Sequence, residues 1–139
     1  MQQSYYAVQK GLYDDLMGSI KNYNELFNVT FNKEISRAER LKVMEEKDQV
    51  EEVIVNSLKK NGQLLGFFSE KEFEDYGTSL KPLSDDIRGI LGSNSIPLSA
   101  IEGILVELMQ YNDNEKLNKL FMFLENARKQ DKSIIVWII

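Results

Sequence analysis

Residues 97–127, PLSAIEGILVELMQYNDNEKLNKLFMFLENA, carry the clearest structural signal in the chain. Leu98, Ile101, Ile104, Leu105, Leu108 and Met109 recur at steps of three and four or sit side by side on one face, the spacing of an amphipathic helix. Pro97 suits the first helical position, where its missing N–H costs nothing. Asn112-Asp113 interrupts the stripe, and Asp113 can cap a second helix. Leu117, Leu120, Phe121, Leu124 and Ala127 then resume it. Two helices joined by so short a turn pack antiparallel, so the stretch predicts an αα-hairpin.

Downstream of the hairpin lies Ser133–Ile139, SIIVWII. It is continuously apolar and β-branched, the pattern of a strand buried on both faces. The same segment could instead extend a partner's sheet or form a homodimer seam.

Upstream, Ser84-Asp85-Asp86 can start a short helix ending near Gly92, with acidic residues suited to its first turn. Ser69-Glu70-Lys71-Glu72 matches a capping box and predicts a short helix through Phe73 and Tyr76. Gln63–Phe68, QLLGFF, reads as a short buried strand. Ser36-Arg37-Ala38-Glu39 is a second capping box, opening a helix that runs to about Lys60 and stops at Asn61-Gly62. The centre of that helix, Glu45–Gln49, has no apolar residue, so it is either exposed or broken there. Val29 and Phe31 alternate with polar residues and allow a short strand. Ser4–Phe27 reads as one amphipathic helix through Tyr5, Val8, Leu12, Leu16, Ile20, Tyr23 and Phe27. Gly11 and Gly18, seven apart within it, suggest that another element packs closely on that side. The expected architecture is a single domain over 1–139. It is mainly α, a compact helical domain with a C-terminal αα-hairpin and a small sheet that includes 133–139.

Composition limits the chemistry. The 139 residues are 42 % hydrophobic and 28 % charged, as in ordinary globular domains. There is no cysteine, which excludes disulfides, thiolate nucleophiles and cysteine-based metal sites. There is no histidine either, which removes the commonest general base and the Ser-His-Asp and Cys-His constellations. Asp14-Asp15 and Asp85-Asp86 are adjacent pairs whose side chains diverge, so neither is a site by itself. Asp113-Asn114-Glu115 lacks the spacing of a calcium loop, and no glycine-rich phosphate loop occurs. The reading is a non-enzymatic protein with no cofactor and no metal.

The net charge is −5. Direct nucleic-acid binding is disfavoured, because such binders neutralise phosphates with a basic face. No stretch approaches the length of a membrane span, and the first residues lack the pattern of a signal peptide, so a cytoplasmic protein without membrane attachment is expected. Two acidic stretches stand out: Glu45, Glu46, Asp48, Glu51 and Glu52, and Glu70, Glu72, Glu74 and Asp75. Each is ordinary as a solvated helix face, and each could steer a basic partner. Tyr6 and Tyr13, seven apart on the expected first helix, could add a contact surface.

These features predict a protein-binding domain. Its expected form is an acidic inhibitor or neutralising protein for a basic partner such as a nuclease or nucleic-acid-binding protein. Immunity proteins and phage proteins that block host factors are of that general kind. One alternative is an assembly protein that oligomerises through 133–139 and the tyrosine-bearing first helix. Another is a helical regulator using a local basic patch of Lys116, Lys119, Arg128, Lys129 and Lys132.

Overall fold

A computed structural model describes all residues, 1–139. The chain is mainly helical and carries a four-stranded antiparallel sheet. In order, the elements are β1 (Gln2–Val8), α1 (Lys10–Val29), α2 (Arg37–Asn61), β2 (Gln63–Ser69), α3 (Glu70–Glu74), α4 (Tyr76–Leu80), α5 (Asp85–Leu91), β3 (Ser95–Ile96), α6 (Leu98–Leu108), a 3₁₀ turn (Met109–Tyr111), α7 (Glu115–Lys129) and β4 (Ser133–Ile138). The sheet order is β2-β1-β4-β3. No helix is long and apolar enough to cross a membrane.

The sheet divides the core. Tyr5 and Ala7 of β1, with Ile134 and Val136 of β4, point to the side covered by α4–α7. Tyr6 and Val8, with Ile135 and Trp137, point to the side covered by α1 and α2. Alternate side chains face opposite ways on a strand, so a strand covered on both faces loses the apolar/polar alternation that would mark it in sequence. β4 is such a strand, as its unbroken apolar run predicts. It lies between β1 and β3, inside the sheet, so it is not available to extend a partner's sheet. The expected αα-hairpin is also present, with α6 against α7.

The expected first helix is corrected: residues 2–8 form β1 and the helix starts at Lys10. Tyr5 and Val8 happen to continue the step of three and four that Leu12, Leu16 and Ile20 follow, so the strand borrows a helical phase. Its Tyr-Tyr-Ala-Val core favours a strand, and pairing to both β2 and β4 settles it. Gly11 and Gly18 need no close neighbour, because a Cβ on either would meet nothing within 4 Å. Val29 ends α1 and Phe31 lies in the following turn, where Phe31 N–H donates to Asn28 O and Asn32 N–H to Val29 O; neither is in a strand.

Local signals at helix starts vary in outcome. Ser36 caps α2 by accepting from Glu39 N–H, and the full reciprocal box forms at Ser69 and Glu72. α2 is continuous through its polar centre. The cap of α7 is Asn114, one residue beyond Asp113, accepting from Lys116 and Leu117 N–H. Pro97 sits at the N-cap position, immediately before the first helical residue. Ser84 does not cap α5 through its side chain; its N–H donates instead to the Glu107 carboxylate at 2.8 Å. β2 is a strand, but it lies at the sheet edge with only Phe68 buried.

Candidate functional site

α1 and α2 pack along each other over one face of the sheet, joined by residues 30–36. Their contact with the core is confined to one end. Leu16 and Ile20 are the buried residues of α1, and Ile54 and Leu58 those of α2. At 1.5 Å rise per residue, α1 continues about 14 Å past Ile20, and α2 begins about 25 Å before Ile54. This distal half carries the exposed side chains of Phe27, Phe31, Leu41 and Met44, with Phe31 69 % and Leu41 57 % exposed. An aromatic series leads out to it. Trp137 meets Tyr23 edge-on at 5.0 Å, Tyr23 stacks on Phe27 at 6.2 Å, and Phe27 meets Phe31 at 5.1 Å. Lys47 places its ammonium 5.6 Å from the Tyr23 ring and 5.8 Å from the Phe27 ring. Arg40 braces the turn by donating to Asn32 O at 2.9 Å.

The first acidic stretch lies on the same half. Glu45, Asp48 and Glu52 are three and four apart, so they share one face of α2 with Leu41. All four are exposed. Glu46 turns to a different face, and Glu51 turns toward Tyr23. Burial holds the Tyr23 hydroxyl above its ordinary pKa, and the Glu51 carboxylate adds to the shift. Asp48 meets Lys47 at 3.3 Å. Glu45, Glu46, Glu51 and Glu52 have no cationic side chain within 4 Å.

The other charged clusters are partly occupied internally. In the second acidic stretch, Glu72 closes the capping box and pairs with Lys119 at 3.2 Å, and Asp75 pairs with Lys116 at 3.1 Å. Backbone hydrogen bonding from Ser69, followed by Lys119, holds the Glu72 carboxyl below the usual range. These two carboxylates fasten α3 and its flank to α7, while Glu70 and Glu74 remain exposed. The basic residues considered for nucleic acid are mostly paired as well: Arg128 with Glu102 and Lys129 with Glu125, besides Lys116 and Lys119. The two acidic stretches belong to helices on opposite sides of the sheet. The expected contact surface of Tyr6 and Tyr13 on one helix is corrected too. Tyr6 is a strand residue, 7 % exposed, packed beneath α1 and α2, and Tyr13 packs against the same cluster.

Sequence reasoning missed a chain of hydroxyls. Gln3 Nε2 donates to the Tyr5 hydroxyl at 2.7 Å, Tyr5 donates to the Tyr76 hydroxyl at 3.2 Å, and Tyr76 donates to Leu91 O at 3.0 Å. Burial raises the pKa of both tyrosines. Each hydroxyl proton is committed and the chain ends on a backbone carbonyl, so the pair offers no base; its role is to satisfy polar groups in the core. Nothing in the sequence joins Tyr5 to Tyr76, because the pairing depends on β1 being a strand. Asp14, Asp15 and Asp86 are exposed, Asp85 pairs with Arg88, and no three carboxylates converge where they could hold a metal ion.

Comparison with protein-family models, with curated proteins and with solved structures finds no match for this chain.

Proposed function

We propose that this is an acidic protein-binding domain of the inhibitor or neutralising kind, docking a basic protein on the distal half of the α1–α2 hairpin. One observation carries the reading. Glu45, Asp48 and Glu52 share one exposed face of α2 with Leu41, and apart from the Asp48 contact with Lys47 no cation of the same chain meets them; Phe27, Phe31 and Met44 are exposed on the same half of the hairpin. In the second acidic stretch, Glu72 and Asp75 each meet a lysine of the same chain, while Glu70 and Glu74 do not. Like charges four apart, as at Asp48 and Glu52, cost a helix a few tenths of a kcal/mol. Packing contributes little to offset that cost on a half-helix that buries no residue fully. Apolar anchors rimmed by charge are the composition of a protein interface. The charge selects the partner: a second copy would bring the same carboxylates to the same place, whereas a basic protein would pair them. The domain neutralises its target by covering a basic surface, and no chemistry is required of it. Immunity proteins and phage proteins directed at host factors are candidates for this class.

The test compares the tagged protein with the triple variant Glu45→Lys, Asp48→Lys, Glu52→Lys in capture from the native cytosol, in low and then moderate salt. The expected result is a dominant basic protein that is held by the parent, released as salt rises and lost by the variant. Circular dichroism should be unchanged, since all three positions are exposed. Equal retention by the variant, or capture of the chain's own copies alone, would overturn the reading.

A further inference from the structure

β3 is too short to cover β4. Ser95 and Ile96 pair with Ile135 and Ile134, and Asn94 extends the edge by one position, taking Val136 N–H on its backbone oxygen at 2.7 Å and donating its Nδ2 to Val136 O at 3.3 Å. Antiparallel ladders alternate the side to which a residue turns its N–H and C=O. Gln2 and Ile139 exchange both backbone bonds, so Ile138 turns its N–H and C=O the other way, to the side of Val136, where β3 has ended. One donor and one acceptor of the backbone therefore open at this end of the sheet.

They open beside a cavity of about 360 Å³. Phe73, Tyr76, Leu80 and Leu91 supply its apolar and aromatic walls, and Gln3 and Asn94 its amide groups; no charged side chain lines it. The hydroxyl chain fixes the orientation of Gln3. Tyr76 must donate to Leu91 O and Tyr5 to Tyr76, so Gln3 presents its N–H to Tyr5 and its Oε1 takes no bond from the protein. Asn94 Oδ1 is likewise without a protein donor. The volume falls within the range of small-molecule sites.

We propose that this cleft binds a small, uncharged, planar molecule carrying a lactam-type N–H/C=O pair. The pair meets Ile138 C=O and N–H, the ring lies among the aromatic walls, and further N–H groups reach Gln3 Oε1 or Asn94 Oδ1. The absence of charged lining residues selects against ions.

The probe is oxindole, a neutral bicyclic lactam, compared with N-methyloxindole, which keeps the shape and the carbonyl but lacks the donor. Binding is read from amide and side-chain shifts in nuclear magnetic resonance spectra of the full chain. Oxindole should give saturable shifts at the Ile138 amide and at the Phe73 and Tyr76 rings, and the methylated probe should bind roughly tenfold more weakly. Gly77→Leu should abolish the shifts, because Gly77 lines the cavity with open space where its Cβ would be. Gly89→Leu, also into open space but outside the cavity lining, should not. No saturable shift at Ile138, equal binding of the two probes, or parent-like binding by folded Gly77→Leu would overturn the proposal. The probe comparison needs no variant, so it decides the matter even where a substitution fails to fold.

Discussion

Tyr5 carries a hydroxyl into a fully buried position between Phe68, Phe123 and Tyr76. Its removal takes one hydrogen bond from Gln3 and one from Tyr76. Tyr5→Phe removes the bonds to Gln3 and Tyr76, and a buried hydrogen bond contributes about 0.5–1.5 kcal/mol. The expected outcome is a loss of that size in urea unfolding at neutral pH, with an unchanged slope. The same residue sets an alkaline limit. Its folded pKa lies above the value near 10 of a free tyrosine, so between the two only the folded form keeps the proton. The stabilisation is full below the free-tyrosine value and is lost as pH rises toward the folded one. Tyr5→Phe should flatten this alkaline decline, which a urea series at increasing pH would measure. Glu72 works at the acid end with the opposite sign. Its folded pKa is depressed, so it stabilises above the ordinary carboxylate value and stops doing so as pH falls through the folded value. Glu72→Gln should therefore destabilise at neutral pH and make little difference in strong acid. Ser69→Ala, which removes the other half of the box, should cost roughly 0.5–2 kcal/mol. An equal effect of Glu72→Gln at both pH extremes would contradict the assignment.

Among the elements, glycines separate two roles that look alike in sequence. Gly66 of β2 has φ +156°, and a Cβ there would overlap the Phe123 ring of α7. Gly66→Ala should cost about 1–3 kcal/mol, because Phe123 is held by Tyr5 and Phe68 and cannot yield. Gly18 lies mid-helix in α1 with open space around it, so Gly18→Ala should raise stability by roughly 0.5–1 kcal/mol. Thermal melts of the two variants should shift in opposite directions. Neither role was legible in the sequence, since an exposed and a buried glycine leave the same letter. What was legible was short-range chemistry. The stripe of Leu117, Leu120 and Leu124, the Ser36 cap and the Ser69 box depend on residues within a few positions of one another. β1 was not legible because Tyr5–Val8 is fixed by pairing with residues more than fifty positions away, and because burial on both faces removed its alternation. In the candidate site, the clustering of Glu45–Glu52 was legible. Which carboxylates stay unpaired was not, because Lys116 and Lys119 come from another element of the fold.

At the scale of the molecule, stability is unevenly distributed. The sheet is covered on both sides, and β1 and β4 lie at its centre with most of their residues buried. The distal half of the α1–α2 hairpin contains no buried residue, and its caps and aromatic contacts lie near the surface. Local opening is governed by how much apolar surface must be exposed to break the backbone bonds. Residues 22–29 and 37–49 should therefore exchange their amide hydrogens through a local opening well below the global unfolding free energy, while Tyr5–Ala7 and Ile134–Val136 exchange only on global unfolding. Native-state hydrogen exchange in increasing denaturant distinguishes the two classes: the first should show little denaturant dependence and the second the full slope. A docked partner would bury Phe27, Phe31, Leu41 and Met44, and binding to the closed form alone raises the cost of opening by mass action. Protection of 22–29 and 37–49 should then rise with partner concentration. The central strands should gain the same increment, because global unfolding also releases the partner. Local openings that leave the hairpin docked, such as fraying of α3, should be unaffected. A rise at α3 and α7 without one at 22–29 and 37–49 would place the interface elsewhere on the molecule.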